Sequence, residues 1–172
     1  MLIRLTESDF DEVFAIMEAS FPSDEHRPYG EQKKLTELPA YRLYGYRDES
    51  GVLRGFMAVW CWEELWFLEH FAVDGACRGQ GLGSRMVQEL IRLAPRGLCL
   101  EAEPPETDLA VRRIGFYERS GFLLHPYPYT QPPISEGKNP VPLRIMTCGL
   151  PVTPEMFAQI RDLLYGRVYH CL

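Results

Sequence analysis

The chain has 172 residues, 46% of them apolar, and a net charge of −6, values that suit one domain around a single core. No apolar run approaches the roughly 20 residues of a membrane span, and the N-terminus is charged and helix-forming where a signal peptide would be apolar. A cytoplasmic protein with no membrane partner is therefore expected. Lys and Arg form no cluster, which argues against nucleic acid as the main ligand. The five cysteines, at 61, 77, 99, 148 and 171, are odd in number and scattered, without a Cys-x-x-Cys pair or matching histidine spacing. They read as reduced thiols and give no metal site.

Taken in order, residues 2–5 suit a short strand, and Thr6 with Asp9 makes a capping-box-like start to a helix carrying Phe10, Val13, Phe14 and Met17 on one side. Residues 21–29 are polar and Pro-flanked, a loop, with a short helix through residue 38. Residues 41–47 and 53–62 form a hairpin turned at residues 48–51, and 65–73 make the next strand. A glycine-rich loop follows, then a helix from Ser84 with Met86, Val87, Leu90, Ile91 and Ala94 in one stripe, ended near Pro95 and Gly97. Residues 98–103 return as a strand, and 108–119 form a helix with Ala110, Ile114 and Tyr117 on the inner face, stopped by Gly121. Residues 122–129 and 143–148 read as strands around a Pro-rich loop. Thr153 and Pro154 open a last helix to about Val168. Alternating strands and helices with no internal repeat predict a layered α/β domain.

The segment Arg78-Gly79-Gln80-Gly81-Leu82-Gly83-Ser84 joins a strand to a helix. Alternate glycines leave backbone N–H groups unobstructed at the positive end of the following helix, an anion site. A P-loop is excluded because no lysine lies between Lys34 and Lys138. The dinucleotide fingerprint fails at its third glycine, where Ser84 or Met86 stands, although Glu101 lies about 20 residues on. Arg/Gln-x-x-Gly-x-Gly/Ala is met by Arg78, Gly81 and Gly83, and this pattern resembles the pyrophosphate loop of the GNAT N-acetyltransferase superfamily. Two further segments are similar to that family: Leu68-Glu69-His70-Phe71-Ala72-Val73, like its central strand, and Phe116-Tyr117-Glu118-Arg119-Ser120-Gly121-Phe122, like the helix end opposite the loop.

The resemblance covers roughly residues 2–150 and implies a GNAT-like acyl-CoA N-acyltransferase fold: a central, mixed, mostly antiparallel twisted sheet flanked by helices, its fourth and fifth strands splayed around the pantetheine arm. It implies one domain over residues 1–150. Residues 151–172 then form a helical extension whose Met156, Ile160, Leu163 and Leu164 either cover the core or meet a second subunit in a homodimer. It further implies acetyl-CoA as co-substrate, an amine as acceptor and no metal. The donor's phosphates would lie on residues 78–84 and Arg113, and backbone N–H groups around Phe71, Ala72 and Val73 would polarise the carbonyl if the family's strand bulge is present. The family often has asparagine where this chain has Ala110, and Arg112 or Arg113 could partly replace it.

Direct transfer in a ternary complex needs an amine stripped of its proton and a thiolate that receives one. Resemblance assigns the second task to Tyr117. Glu69 is the first choice for base: it shares strand parity with Leu65, Phe67, Phe71 and Val73, and partial desolvation would raise its pKa. His70 then points to the opposite face. Glu101 or Glu103 could replace Glu69 or bind the acceptor, and a salt-bridged Glu69, paired with Arg112 or Arg113, is the structural alternative. No cysteine is assigned as nucleophile, since Cys77 lacks a visible partner. The competing function is a non-catalytic acyl-CoA sensor or adaptor; a purely structural interaction module using the last helix is a third.

Overall fold

In the computed structural model, which describes residues 1–171, the chain opens with β1 (Ile3–Arg4) and a turn in which the Thr6 amide donates to Asp9 Oδ2 at 2.8 Å. This bond satisfies an otherwise free donor ahead of α1 (Phe10–Ser20). A loop leads to α2 (Tyr29–Lys34), which tightens into a 3-10 turn over Leu35–Glu37. The hairpin of β2 (Tyr41–Arg47) and β3 (Leu53–Cys61) runs antiparallel into β4 (Trp66–Val73). Then come α3 (Leu82–Leu93), β5 (Leu98–Ala102) and α4 (Asp108–Arg119). Two short strands, β6 (Leu123–Leu124) and β7 (Tyr129–Gln131), precede β8 (Val141–Cys148) and α5 (Pro154–Arg167).

The sheet has the order β1-β2-β3-β4-β5-β8-β6, with β7 also on β8. Among the described residues only the β4–β5 pair is parallel. One face packs on α1 and α5 through Phe10, Val13, Met17, Phe67, Ile160 and Leu164. The other packs on α3 and α4 through Leu68, Met86, Leu90, Leu100, Ile114 and Tyr117. Each face thus buries the apolar stripes of two helices, giving three layers. In α5, Met156 and Leu163 lie partly buried against the first cluster, beside the fully covered Ile160 and Leu164.

Two features of β4 create the site. Its pairing with β5 runs Trp66↔Leu98, Phe67↔Cys99 and Leu68↔Leu100 and then stops, although both strands continue. At that point the β3 partner of Ala58 is His70 and that of Val59 is Leu68. Glu69 is the extra residue of a β-bulge, which bends the strand away from β5.

The bulge also reverses side-chain parity. Before it Phe67 faces the α1 side, after it Ala72 does, while Phe71 and Val73 face the α3 side. Glu69 and His70 therefore lie on the same face, with His70 Nδ1 3.6 Å from Glu69 Oε2. The strict alternation that set His70 opposite Glu69, and grouped Glu69 with Phe71 and Val73, is corrected by this one inserted residue.

Other boundaries shift for local reasons. The strand expected over residues 122–129 divides into β6 and β7 because Pro126 and Pro128 cannot donate to a ladder. The helix α3 begins two residues before Ser84, and α4 coincides with its expected span.

Candidate active site

A cleft of about 820 Å³ opens where β4 and β5 part. The glycine loop and the N-terminus of α3 form one end, the last residues of β4 and the inner face of α4 form its middle, and Glu25, Glu69, His70, Glu101 and Glu103 line the other end.

Gly79 and Gly81 have φ of +76° and +77°, backbone that side-chain-bearing residues adopt at a cost. A Cβ at either position would meet no atom within 4 Å, so their glycines serve the conformation and the open space above the loop. Gly81 is the N-cap of α3, and the first intrahelical bond runs from the Arg85 amide to Gly81 O at 3.1 Å. The amides of Leu82, Gly83 and Ser84 precede that bond and are free for an anion. All of residues 78–84 line the cleft except Gln80, whose side-chain amide donates to Ala76 O at 3.0 Å. This loop fits a pyrophosphate.

Along β4 the Asp74 amide donates to Arg54 O at 2.8 Å. The alternation of an antiparallel ladder then turns Ala72 toward β3 and leaves the amides of Phe71 and Val73 facing the gap. Val73 O accepts from Arg78 Nε at 3.3 Å, tying the strand end to the loop.

Tyr117 lies on the inner face of α4, 8% exposed, its ring edge-on to Phe116 and Phe122. Burial pushes its hydroxyl up to about 12, so it carries its proton at neutral pH. Among the described residues no protein group hydrogen-bonds that hydroxyl, which borders the cleft. Arg113 also lines the cleft, but its Nη1 is 2.7 Å from Glu103 Oε2.

Glu69 accepts from Arg27 Nη1 at 2.8 Å, with side chains 2% and 7% exposed. Burial pushes the carboxyl up, but the Arg27 guanidinium, with His70 beside it, outweighs this and holds it at about 2. The expected raised pKa is thus reversed, and the ion-pair partner is Arg27, not Arg112 or Arg113. Glu101, across the gap, behaves in the opposite way. It accepts from Tyr129 Oη and from Tyr169 Oη, the latter at 2.9 and 2.7 Å from its two oxygens. Burial raises it to about 7 against these donors, with the Glu69 charge adding to the rise.

The chain matches the family model described as acetyltransferase (GNAT) family over residues 10–122. The protein belongs to the GNAT acetyltransferase family. Its fold is similar to that of a GNAT-family protein from Bacteroides thetaiotaomicron, at 30% identity and TM-score 0.88, covering 99% of this chain and 98% of that one. The ribosomal-protein-S18-alanine N-acetyltransferase from Escherichia coli shares the fold at 19% identity and TM-score 0.61, over 89% and 94% of the two chains. A chimeric spermidine N-acetyltransferase from Vibrio cholerae SpeG and hSSAT does so at 13% identity and TM-score 0.66, over 86% and 93%. A sequence search of curated proteins finds no match.

In this GNAT protein the cleft gathers Glu69, Phe71, Ala72, Val73, Arg78, Gly79, Gly81, Leu82, Gly83, Ser84, Arg113 and Tyr117 along one wall or another. Ala110 is buried in the α4 core at 2% exposure and lies outside that lining. Arg27, Tyr129 and Tyr169 were not legible as site residues. Arg27 sits in the loop before α2, and the tyrosines lie outside the three motif segments at residues 68–73, 78–84 and 116–122. Two signals pointed their way: a carboxylate predicted inside an apolar strand needs a cation, and tyrosines on late elements need a polar partner when buried.

Proposed function

We propose that the protein transfers an acetyl group from acetyl-CoA to a primary amine by direct attack in a ternary complex. One observation carries this reading: a single cleft joins an open, positive-φ glycine loop to a protonated tyrosine and to a carboxyl near neutrality. The loop amides and Arg78 would hold the pyrophosphate, and the thioester would lie along the free edge of β4 with the Phe71 and Val73 amides toward its carbonyl oxygen.

Free alkyl amines titrate near ~10, so the acceptor arrives protonated and meets Glu25, Glu101 and Glu103 at its end of the cleft. Glu101 takes the amine proton, directly or through water. A carboxyl at about 7 is half ionised at physiological pH and still basic, the compromise that general-base catalysis favours. Glu69, held at about 2 by its guanidinium, is too weak a base and serves to place Arg27 and the acceptor wall. The amine nitrogen then bonds to the acyl carbon, the C–S bond breaks as the Tyr117 hydroxyl delivers its proton to the departing sulfur, and the second proton of the nitrogen leaves through water and restores Tyr117.

Calorimetric titration with acetyl-CoA, followed by thiol release against amines from polyamines to peptide N-termini, tests the reading. Binding with turnover, and an acid limb in kcat/KM that disappears in Glu101→Gln, is the expected result. Binding with no turnover on any amine overturns catalysis in favour of an acyl-CoA sensor, and failure to bind overturns both.

A further inference from the structure

The segment after α5 packs against Glu101, which lines the acceptor end of the cleft. The Val168 and Tyr169 amides both return to Leu164 O, at 2.9 and 3.1 Å, and His170 has φ of +53°. The chain therefore turns sharply off the helix end and reverses over β5, with Val168 and Tyr169 3% and 8% exposed. Two bonds tie this segment to the two carboxylates that flank the gap. Val168 O accepts from Arg27 Nη2 at 3.3 Å, while Nη1 of the same guanidinium holds Glu69. Tyr169 Oη stands 2.9 and 2.7 Å from Glu101 Oε1 and Oε2.

We propose that Tyr169 is a positioning residue for catalysis, its hydroxyl straddling the Glu101 carboxylate so that the carboxylate faces the acceptor nitrogen in its ionised form. The inference rests on the reading of Glu101 as proton acceptor. Its basis is geometric. A carboxylate beside the unpaired edge of a strand can rotate about its side-chain bonds, but two phenols from different elements, Tyr129 on β7 and Tyr169 after α5, fix its plane. Both phenols are donors, because burial and the adjacent Glu101 charge raise their pKa well above the usual tyrosine range.

The titratable groups that face Glu101 are these two tyrosines, Tyr165 on α5, Glu69 and His70 on β4, and Cys99 on its own strand. Among them the Tyr129 and Tyr169 hydroxyls favour the charged carboxylate by donation. Losing one donor therefore moves proton release to higher pH. A residue that only filled space would leave that titration in place.

The full chain labelled with carbon-13 at glutamate carboxyls, titrated by NMR, reads this directly and needs no acceptor. Glu101→Gln assigns the Glu101 signal. In Tyr169→Phe, which keeps the ring, the midpoint is expected to rise by about one pH unit, the size of one hydrogen bond to a charged group after water has partly replaced it. The acid limb of kcat/KM should move with it, while calorimetric affinity for acetyl-CoA stays the same. Tyr129→Phe gives an independent rise if Tyr169→Phe does not fold. A Glu101 midpoint unmoved in the folded variant overturns the inference, whatever Glu101 does. Full turnover in Glu101→Gln overturns instead the role of Glu101, and the NMR shift keeps the two failures apart.

Discussion

The Arg27 guanidinium and the Glu69 carboxylate meet at 2.8 Å in the interior, across 42 residues of sequence. Each removes the cost of burying the other. Arg27→Met should leave an ionised carboxylate without its cation, a loss of about 3–5 kcal/mol. Urea unfolding at pH 7 measures it, and a change well under 1 kcal/mol would mean that water already serves Glu69.

The same pair sets an acid limit on stability. Glu69 titrates at about 2 in the fold against 4.5 for an ordinary glutamate, so its contribution is fully present above about 4.5 and is lost as pH falls toward 2. Glu101, raised to about 7, has the opposite sign: the fold gains stability as pH falls from 7 to 4.5. The difference in unfolding free energy between wild type and Glu101→Gln, followed from pH 8 to 4, should therefore change in that window. A flat difference would show that Glu101 is solvated.

Tyr117→Phe removes only the hydroxyl from a ring that packs on Phe116 and Phe122. Turnover should fall about a hundredfold, the scale of a single general acid, with acetyl-CoA affinity unchanged. Thiol release at saturating donor reads it, and unaltered turnover would remove Tyr117 from the mechanism.

At Gly81, φ of +77° makes a β-branched side chain costly by about 1–2 kcal/mol, and the space above it is where phosphate would lie. Gly81→Val should abolish acetyl-CoA binding in calorimetry while the protein remains folded. Retained affinity would displace the cradle from this loop.

The α5 cap supplies a fifth test, on a helix that packs on the sheet outside the cleft lining. Thr153 Oγ1 accepts from the Met156 amide at 3.2 Å, with Pro154 at the first helical position. Thr153→Ala should cost about 1 kcal/mol and lower Tm by about 2–4 °C in a chain of this size. An unshifted melt would show that α5 frays at its start without consequence.

Local signals carried most of the fold. The stripe ending in Tyr117, the hairpin from β2 to β3 and the glycine loop each occupy a continuous segment, so periodicity and turn chemistry locate them without the rest of the chain. The site was less legible because its polar pairs span long separations: Tyr169 reaches Glu101 across 68 residues. Periodicity also misled at β4. One residue inserted opposite Ala58 and Val59 exchanges the faces of everything after Glu69, and nothing in the local composition marks where a strand takes in an extra residue. The reversed pKa of Glu69 follows from the same limit, since its sign is set by Arg27 on a distant loop.

The ties from Val168 to Arg27 and from Tyr169 to Glu101 have a temporal side. A chain emerging from the ribosome presents β1 to β5 long before residue 169 exists, at some 5–20 residues per second. During that interval the phosphate loop and the ladder can form, yet Glu101 lacks one of its two phenols and Arg27 one of its acceptors. The ties that fix the Glu101 and Arg27 side chains therefore close only after residues 168 and 169 are made, later than the sheet strands β1 to β5.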